Sequence, residues 1–94
     1  MKCGYVYILS NRTRTVFYTG VTSDLSRRME EHRSGKGSTF CRVYHVRELL
    51  FYELHMDMIS AIRREKQIKK WNREWKINLI KKRNPEMKDL LEKP

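Results

Sequence analysis

The chain has 94 residues, of which 39% are hydrophobic, which is enough for one modest core and too little for two domains. Its 21 Lys and Arg against 11 Asp and Glu give a formal net charge of +10, which favours a polyanionic partner such as nucleic acid. On charge alone, a merely soluble basic protein or one that meets an anionic membrane is the alternative. We read no signal peptide and no membrane span, and Cys3 and Cys41 lie at no zinc-ligand spacing from a histidine. We therefore expect a cytoplasmic protein without membrane association or structural zinc.

Two runs of aromatic and β-branched residues near the start predict a β-hairpin. Residues 4–9 read GYVYIL and residues 15–21 read TVFYTGV, with the polar NRTR between them. Ser23 and Asp24 then offer helix N-caps, and Leu25 and Met29 recur at helical spacing before the SGKG stretch at residues 34–37. The pattern predicts a first helix over residues 24–33.

The second half of the chain predicts one more strand and two more helices. Residues 46–53, VRELLFYE, form an apolar run typical of a strand in a mostly buried position. Asp57 caps a helix predicted over residues 58–71, and Asn72 caps a shorter one that ends in the basic run at residues 81–83. The order β-β-α-β-α-α predicts an α+β domain over residues 1–83, with a three-stranded antiparallel sheet flanked by helices. Residues 84–94 are expected to form a tail or a short helical turn.

Glu65 is the most informative polar residue of the second helix. Helical spacing places it beside Ala61, Ile62 and Ile68 on the stripe that should face the core. A carboxylate there costs free energy unless it is paired or bound to metal. Periodicity alone favours a salt bridge to one of the nearby cations, or a position one step off the true core face.

Arg28 and His32 present the same anomaly on the first helix. They lie four residues apart, in register with Leu25 and Met29, so both should point toward one side of the helix. A guanidinium forks onto phosphate oxygens, and an imidazole moves protons near neutral pH. Each residue alone is also compatible with an ordinary structural role.

Tyr7 and Tyr18 lie on the two hairpin strands, and Gly20 follows Tyr18 closely. Strand tyrosines usually serve as packing groups, but a phenol can act in proton transfer if neighbouring cations lower its pKa. The glycine leaves room for another backbone or a ligand to approach.

Together these residues form an ordered pattern that resembles the GIY-YIG endonuclease family. Tyr5-Val6-Tyr7 is followed by Tyr18-Thr19-Gly20, then by Arg28, His32 and a distant helical Glu65. The resemblance covers about residues 4–80 and is greatest to short, free-standing, uncharacterised bacterial members. Their motifs YxYIL, YTGxTxDLxRR, SGKG and RRExxIKxW appear here at residues 5–9, 18–28, 34–37 and 63–71.

The sequence departs from the family pattern at three positions. Tyr5 stands in the place of the first glycine and Thr19 in the place of the second isoleucine, both of which are common variations. Val21 stands where several members carry a lysine directly after the glycine. A proton-handling role of that lysine therefore does not transfer to this chain.

The resemblance implies a divalent-metal-dependent nuclease that hydrolyses phosphodiester bonds of nucleic acid in DNA repair, recombination or processing. Glu65 would hold Mg²⁺ or Mn²⁺, and Arg28 would neutralise charge that grows on the phosphate. Tyr7 and Tyr18 would position or deprotonate the attacking water, with His32 orienting a tyrosine or shuttling the proton. Asn78 matches a polar position near the site in relatives, although it is also compatible with a solvated surface residue.

Substrate contacts are expected from basic side chains around the helices and the loop that begins at residue 34, and these contacts carry no sequence information. The residues concerned are Arg33, Lys36, Arg42, Arg63, Arg64, Lys69 and Lys70. DNA is favoured over RNA. Because larger relatives often take specificity from an attached DNA-binding domain, the resemblance implies either weak structure-guided cutting or a partner protein here. The alternative is a catalytically weak or inactive GIY-YIG module that binds DNA or RNA.

Overall fold

A computed structural model describes residues 2–91 of the chain, which fold into three strands and four helices. The strands are β1 (Gly4–Ser10), β2 (Phe17–Thr22) and β3 (Glu48–His55). The helices are α1 (Leu25–Arg33), α2 (Thr39–Val43), α3 (Met58–Lys69) and α4 (Arg73–Arg83). The predicted α+β class and the three-stranded antiparallel sheet flanked by helices are confirmed. Within residues 2–91, every helix is too short or too polar to cross a membrane.

Strand β1 is the centre of the fold because both other strands pair with it in antiparallel fashion, in the order β2-β1-β3. Residues 6–10 are all buried, since alternate side chains enter two separate apolar clusters. Val6 and Ile8 face α3 and α4, where they meet Ala61, Ile68 and Ile80. On the other face, a second cluster packs against α1 and α2; its members are Tyr7, Leu9, Met29, Cys41, Val46 and Leu49.

The predicted helix starts agree with the structure because each rests on a side chain that accepts a backbone hydrogen bond. Asp24 accepts from the Arg27 amide, Asp57 from the Ser60 amide and Asn72 from the Trp75 amide. Asp24 and Asp57 therefore precede α1 and α3 directly, and Asn72 separates α3 from α4.

The expectation of a mostly buried third strand was wrong in part, because β3 lies at an edge of the sheet. Its apolar run reflects an irregularity in pairing: Ile8 pairs with Phe51 and Leu9 with Leu49, so Leu50 is an extra residue in β3. Leu49 then faces the α1 side, whereas Leu50 and Phe51 face the α3 side. Beyond Phe51, exposed and half-buried side chains alternate along the strand.

Two further segments differ from expectation. A short helix, α2, follows the Gly/Ser stretch, with Ser38 as its N-cap and Cys41 buried beneath it. Ile62, expected on the core stripe of α3, is largely exposed, because the buried face of α3 is formed by Ala61, Glu65 and Ile68.

Residues 84–91 form a strap along the outer edge of β3, and the strap begins with a turn in which the Met87 amide donates to the Asn84 carbonyl. The buried Asn84 side chain donates to the Leu50 carbonyl, and the Leu90 amide donates to the Leu49 carbonyl. The Asp89 carboxylate accepts from the Leu49 amide and pairs with Arg33. The expectation for residues 92–94 lies outside the described residues.

Gly4 allows β1 to approach the first turn of α3, which generates a stability prediction. A methyl group at Gly4 would lie 2.5 Å from the Ala61 Cβ, so Gly4→Ala should cost about 1–3 kcal/mol of unfolding free energy. Ala61→Gly should itself cost about 1 kcal/mol, because glycine destabilises helices. The double variant should nevertheless be more stable than the sum of the two losses predicts, which urea unfolding measures. Strict additivity would contradict the proposed contact.

Candidate active site

The register of β1 and β2 places Tyr7, Tyr18 and Gly20 on the α1 side of the sheet. Tyr7 lies opposite Gly20, and Leu9 lies opposite Tyr18. The ring of Tyr7 lies directly over Gly20, where any Cβ would overlap the phenol oxygen and Cζ. Gly20 therefore makes room for a side chain of its own protein, and it fixes where the Tyr7 hydroxyl ends.

Helix α1 presents two polar side chains to that hydroxyl. Arg28 Nε donates a hydrogen bond of 3.3 Å to the Tyr7 oxygen, and His32 Nε2 lies 3.3 Å from the same oxygen. Because the Tyr7 oxygen accepts a hydrogen bond from Arg28, its own proton can be donated to His32 Nε2. The result is a chain from guanidinium to phenol to imidazole.

His32 is 4% exposed and is enclosed by aromatic rings and by backbone. The Tyr7 and Tyr18 rings both meet it edge-on, at centroid distances of 6.0 and 5.9 Å. Phe40 of α2 stacks on the outer side of Tyr18. Gly37 lies against His32 Nδ1 so closely that a Cβ there would overlap it, and Nδ1 is buried without a hydrogen-bond partner.

Burial and charge set the protonation of this chain. Burial raises the pKa of Tyr7 to about 12, and the neighbouring Arg28 only partly offsets it. Burial lowers the pKa of His32, and the Arg28 charge lowers it further. The hydrogen bond to Tyr7 raises the pKa of Arg28. Near neutral pH the group therefore consists of a charged guanidinium, an intact phenol and a neutral imidazole.

The guanidinium of Arg28 also reaches an open cleft of about 300 Å³ at the start of α1. Glu31 holds Arg28 Nη1 at 3.2 Å, so the guanidinium is fixed from two directions. Glu31 was missed in the sequence, although its position three residues after Arg28 on one helix face could have indicated the pair. Val21 points to the opposite side of the sheet, where it packs against the α3 cluster.

Glu65 lies on the buried face of α3 and is 8% exposed. Its carboxylate pairs with Lys69 Nζ at 2.8 Å. The hydrogen bond to Glu65 raises the pKa of Lys69, and Tyr18 adds a smaller effect in the same direction. Lys69 therefore neutralises the carboxylate from the same helix, four residues further along α3.

The donor set around Glu65 limits which metal it could hold. Within residues 2–91, no three His, Cys, Asp or Glu side chains come together at metal-ligand distances. A site with one carboxylate does not fit Zn²⁺, which takes three or four protein ligands, but it fits Mg²⁺ or Mn²⁺ that keeps waters and binds substrate phosphate. Lys69 shows that the carboxylate accepts a cation at this position.

The remaining predicted residues are spread over the surface. Arg33 pairs with Asp89, and Arg64 pairs with Glu53 and lies over the ring of Trp71. Lys36, Arg42, Arg63 and Lys70 are exposed, as is Arg33 beside its ion pair. The structure places Asn78 in a groove with Arg64 and Trp75, apart from the tyrosines.

Comparison with known proteins finds the same pattern over most of the chain. Residues 3–78 match the model of the GIY-YIG catalytic domain. A UPF0213 protein of Syntrophus aciditrophicus is 39% identical over 87 residues, which are 92% of this chain and 98% of that protein. A UPF0213 protein of Staphylococcus aureus is 32% identical over 83 residues, which are 88% of this chain and 100% of that protein.

A solved structure extends the likeness to three dimensions. The solution NMR structure of a UPF0213 protein from Bacillus halodurans superposes with a TM-score of 0.59 at 29% identity, covering 95% of this chain and 94% of that chain. Both the domain match and the relatives cover the strands and helices that hold Tyr7, Arg28, His32 and Glu65. The chain therefore belongs to the GIY-YIG family of nuclease domains.

Proposed function

We propose that this protein is a divalent-metal-dependent endonuclease that hydrolyses phosphodiester bonds in DNA, with its active site built around Tyr7, Arg28 and His32. The observation that carries the proposal is the hydrogen-bonded chain from Arg28 through the Tyr7 oxygen to His32, closed beneath by Gly20. A buried chain of this kind is expensive for stability alone, because it places a polar network inside a small core. The net charge of +10 supports a polyanionic substrate.

Arg28 would bind the scissile phosphate. Its raised pKa keeps the guanidinium charged at any working pH, and its contacts with Tyr7 and Glu31 fix its direction before substrate arrives. A charge that is already oriented stabilises the transition state without reorganisation. The open cleft at the start of α1 gives a phosphate access to this guanidinium.

Tyr7 would serve as a relay for the proton of the attacking water. A pKa of about 12 means that the phenol does not ionise beforehand. Instead, its oxygen would take a proton from water as its own proton moves to His32 Nε2, which lies 3.3 Å away. His32 suits this role because its lowered pKa keeps the imidazole neutral before the reaction. Tyr18 would form the wall of the site beside His32 and would orient the attacking water.

Glu65 would hold Mg²⁺ or Mn²⁺ in place of the Lys69 ammonium. The bound ion would supply a Lewis acid for the phosphate and acidify a coordinated water. Lys69 would turn to solvent, where half of its side chain already lies. This same ion pair favours the second candidate, a module that binds nucleic acid without cutting it, since Lys69 satisfies the carboxylate without metal.

Exposed cations would bind the flanking backbone, and a partner protein would supply specificity in a repair, recombination or processing pathway. Lys36 and Arg42 lie near the tyrosine side, on the loop before α2 and on α2 itself. Contacts of this type position a strand without reading its bases.

Glu65→Gln should abolish strand cleavage, because the amide keeps the shape of the side chain but loses the charge that holds the metal. Binding should persist or tighten, since one negative charge leaves a basic protein. The measurement is cleavage of labelled single-stranded, duplex and branched DNA with Mg²⁺ or Mn²⁺, alongside thermal melts. The exposed Glu30→Gln change is the matched control and should cut normally. If the wild type cuts nothing, or if a folded Glu65→Gln variant cuts as well as the wild type, the nuclease proposal fails. The module that binds nucleic acid without cutting it then remains.

Arg28→Ala should lower kcat by a factor on the order of 10²–10³, as expected for loss of a preorganised charge at the phosphate. Arg27→Ala is a matched control, because the neighbouring Arg27 side chain is 78% exposed and makes only a 3.9 Å contact to Glu31. Single-turnover cleavage rates measure both variants. Equal losses in the two would show that only general charge is involved.

Cleavage should decline at acid pH as His32 becomes protonated. Burial lowers its pKa below the ordinary 6.5, so the midpoint of the decline should lie below 6.5. The folded state then binds fewer protons than the unfolded state, so the stability that neutral His32 contributes is present above pH 6.5 and is lost as pH falls. A pH profile of kcat together with urea unfolding tests both effects. His45→Asn serves as the control. If an active His32→Asn variant still loses cleavage at acid pH, the titration of another group causes that loss.

A further inference from the structure

The corner between α3 and α4 holds an open groove that the proposed catalytic site does not use. The groove has a volume of about 540 Å³, and we call it the tryptophan groove. Its lining residues are Arg63, Lys66, Gln67, Lys70, Trp71 and Trp75. A second, smaller groove lies on the other side of the same two indoles.

The two tryptophans differ in how they are held. Trp71 packs against the apolar cluster beneath α3, and the guanidinium of Arg64 lies over its ring. Trp75 meets Trp71 edge-on, with ring centroids 5.9 Å apart and planes at 80°. Trp75 is 56% exposed, so a large part of a rigid indole faces solvent. An exposed indole of this size is costly unless something covers it.

The charges around Trp75 indicate what covers it. Arg63, Lys66 and Lys70 line one side, and Arg64 and Lys82 line the other. Among residues 2–91, no carboxylate lines either groove. The occupant must therefore be anionic and must also offer a flat apolar surface. An unpaired nucleotide has both features, because its phosphate carries the charge and its base stacks on an aromatic ring. Along its length a duplex offers phosphates, since its bases are stacked inside and only its terminal pairs expose a face.

We propose that the tryptophan groove binds unpaired nucleotides, with a base stacked on Trp75 and the adjoining phosphates on Lys66 and Lys70. This inference rests on the proposed function and extends it, since it makes DNA with a single-stranded segment the preferred substrate. Lys66 follows Glu65 directly on α3 and lies about 100° further around the helix. One strand could therefore run from Glu65 across Lys66 and Lys70 to Trp75.

Binding in the absence of metal tests the inference separately from cleavage. Glu65→Gln protein in EDTA is titrated with three labelled probes: a single strand of roughly ten nucleotides, the same strand with abasic sites, and a blunt duplex. Introducing Trp75→Ala should weaken binding of the intact single strand on the order of tenfold, the range of one stacked base. Trp75→Phe should retain most of the affinity. Leu54→Ala, which removes another largely exposed apolar side chain, is the matched control and should change nothing.

The outcomes separate the two proposals. Loss of single-strand affinity in folded Trp75→Ala, with the abasic strand and the duplex unaffected, supports the inference even if the wild type cleaves nothing. Equal losses for all three probes, or no loss for any, would overturn it even if the wild type proves to be a nuclease. The abasic strand binding as tightly as the intact strand would also overturn it, because phosphates alone would then account for binding.

Discussion

Burial of the Tyr7 hydroxyl is the constraint on which the rest of the site depends. A phenol oxygen on a buried side chain must find hydrogen-bond partners inside the protein, because an unpaired polar group costs about 1–3 kcal/mol. Arg28 and His32 supply those partners from one face of α1, and Gly20 supplies the space. The pairing of β1 with β2 and the docking of α1 are thus specified by the same atom. Any substitution at these four positions changes packing and chemistry together.

The two-sided burial of β1 places the candidate residues of this small domain in two separate layers. The tyrosines, Arg28 and His32 lie on the α1 side of the sheet, whereas α3 packs on the other side. Strand β2 lies at the edge of the sheet, so side chains of α3 can reach past it. Lys69 of α3 pairs with Glu65 on its own helix, and Tyr18 adds a small effect that raises the pKa of Lys69. Val21 of β2 packs against the α3 cluster and also lines the cleft at the start of α1.

Local signals in the sequence predicted most elements because those elements depend on local chemistry. Asp24, Asp57 and Asn72 could be read as helix caps, since a cap needs only its own side chain and the next turn. The edge position of β3 and the strap could not be read, because both depend on which strand pairs with which. The short helix α2 was missed because glycines precede it and only Cys41 anchors it.

The candidate site also contains some features that sequence patterns predicted and others that they did not. Tyr7, Arg28 and His32 could be selected from spacing and resemblance, and they meet in the structure through direct hydrogen bonds. Lys69 was expected only to contact nucleic acid, whereas its actual partner is Glu65, four residues earlier on the same helix. Periodicity could have indicated that pair, because the two residues lie four apart on one helix face. The exposed part of Trp75 depends on the angle between α3 and α4, which no local pattern encodes.

The strap at residues 84–91 affects how copies of this chain can pair with one another. The outer edge of β3 carries unpaired backbone groups, and a free edge of this sort recruits strands from other chains and seeds aggregation. Asn84, Asp89 and Leu90 occupy those groups at Leu49 and Leu50 with partners that cannot extend a sheet. Further along the edge, Glu53 pairs with Arg64 and His55, which places charge where an incoming strand would need apolar contact. These contacts protect the outer edge of β3 from pairing with a strand of another chain.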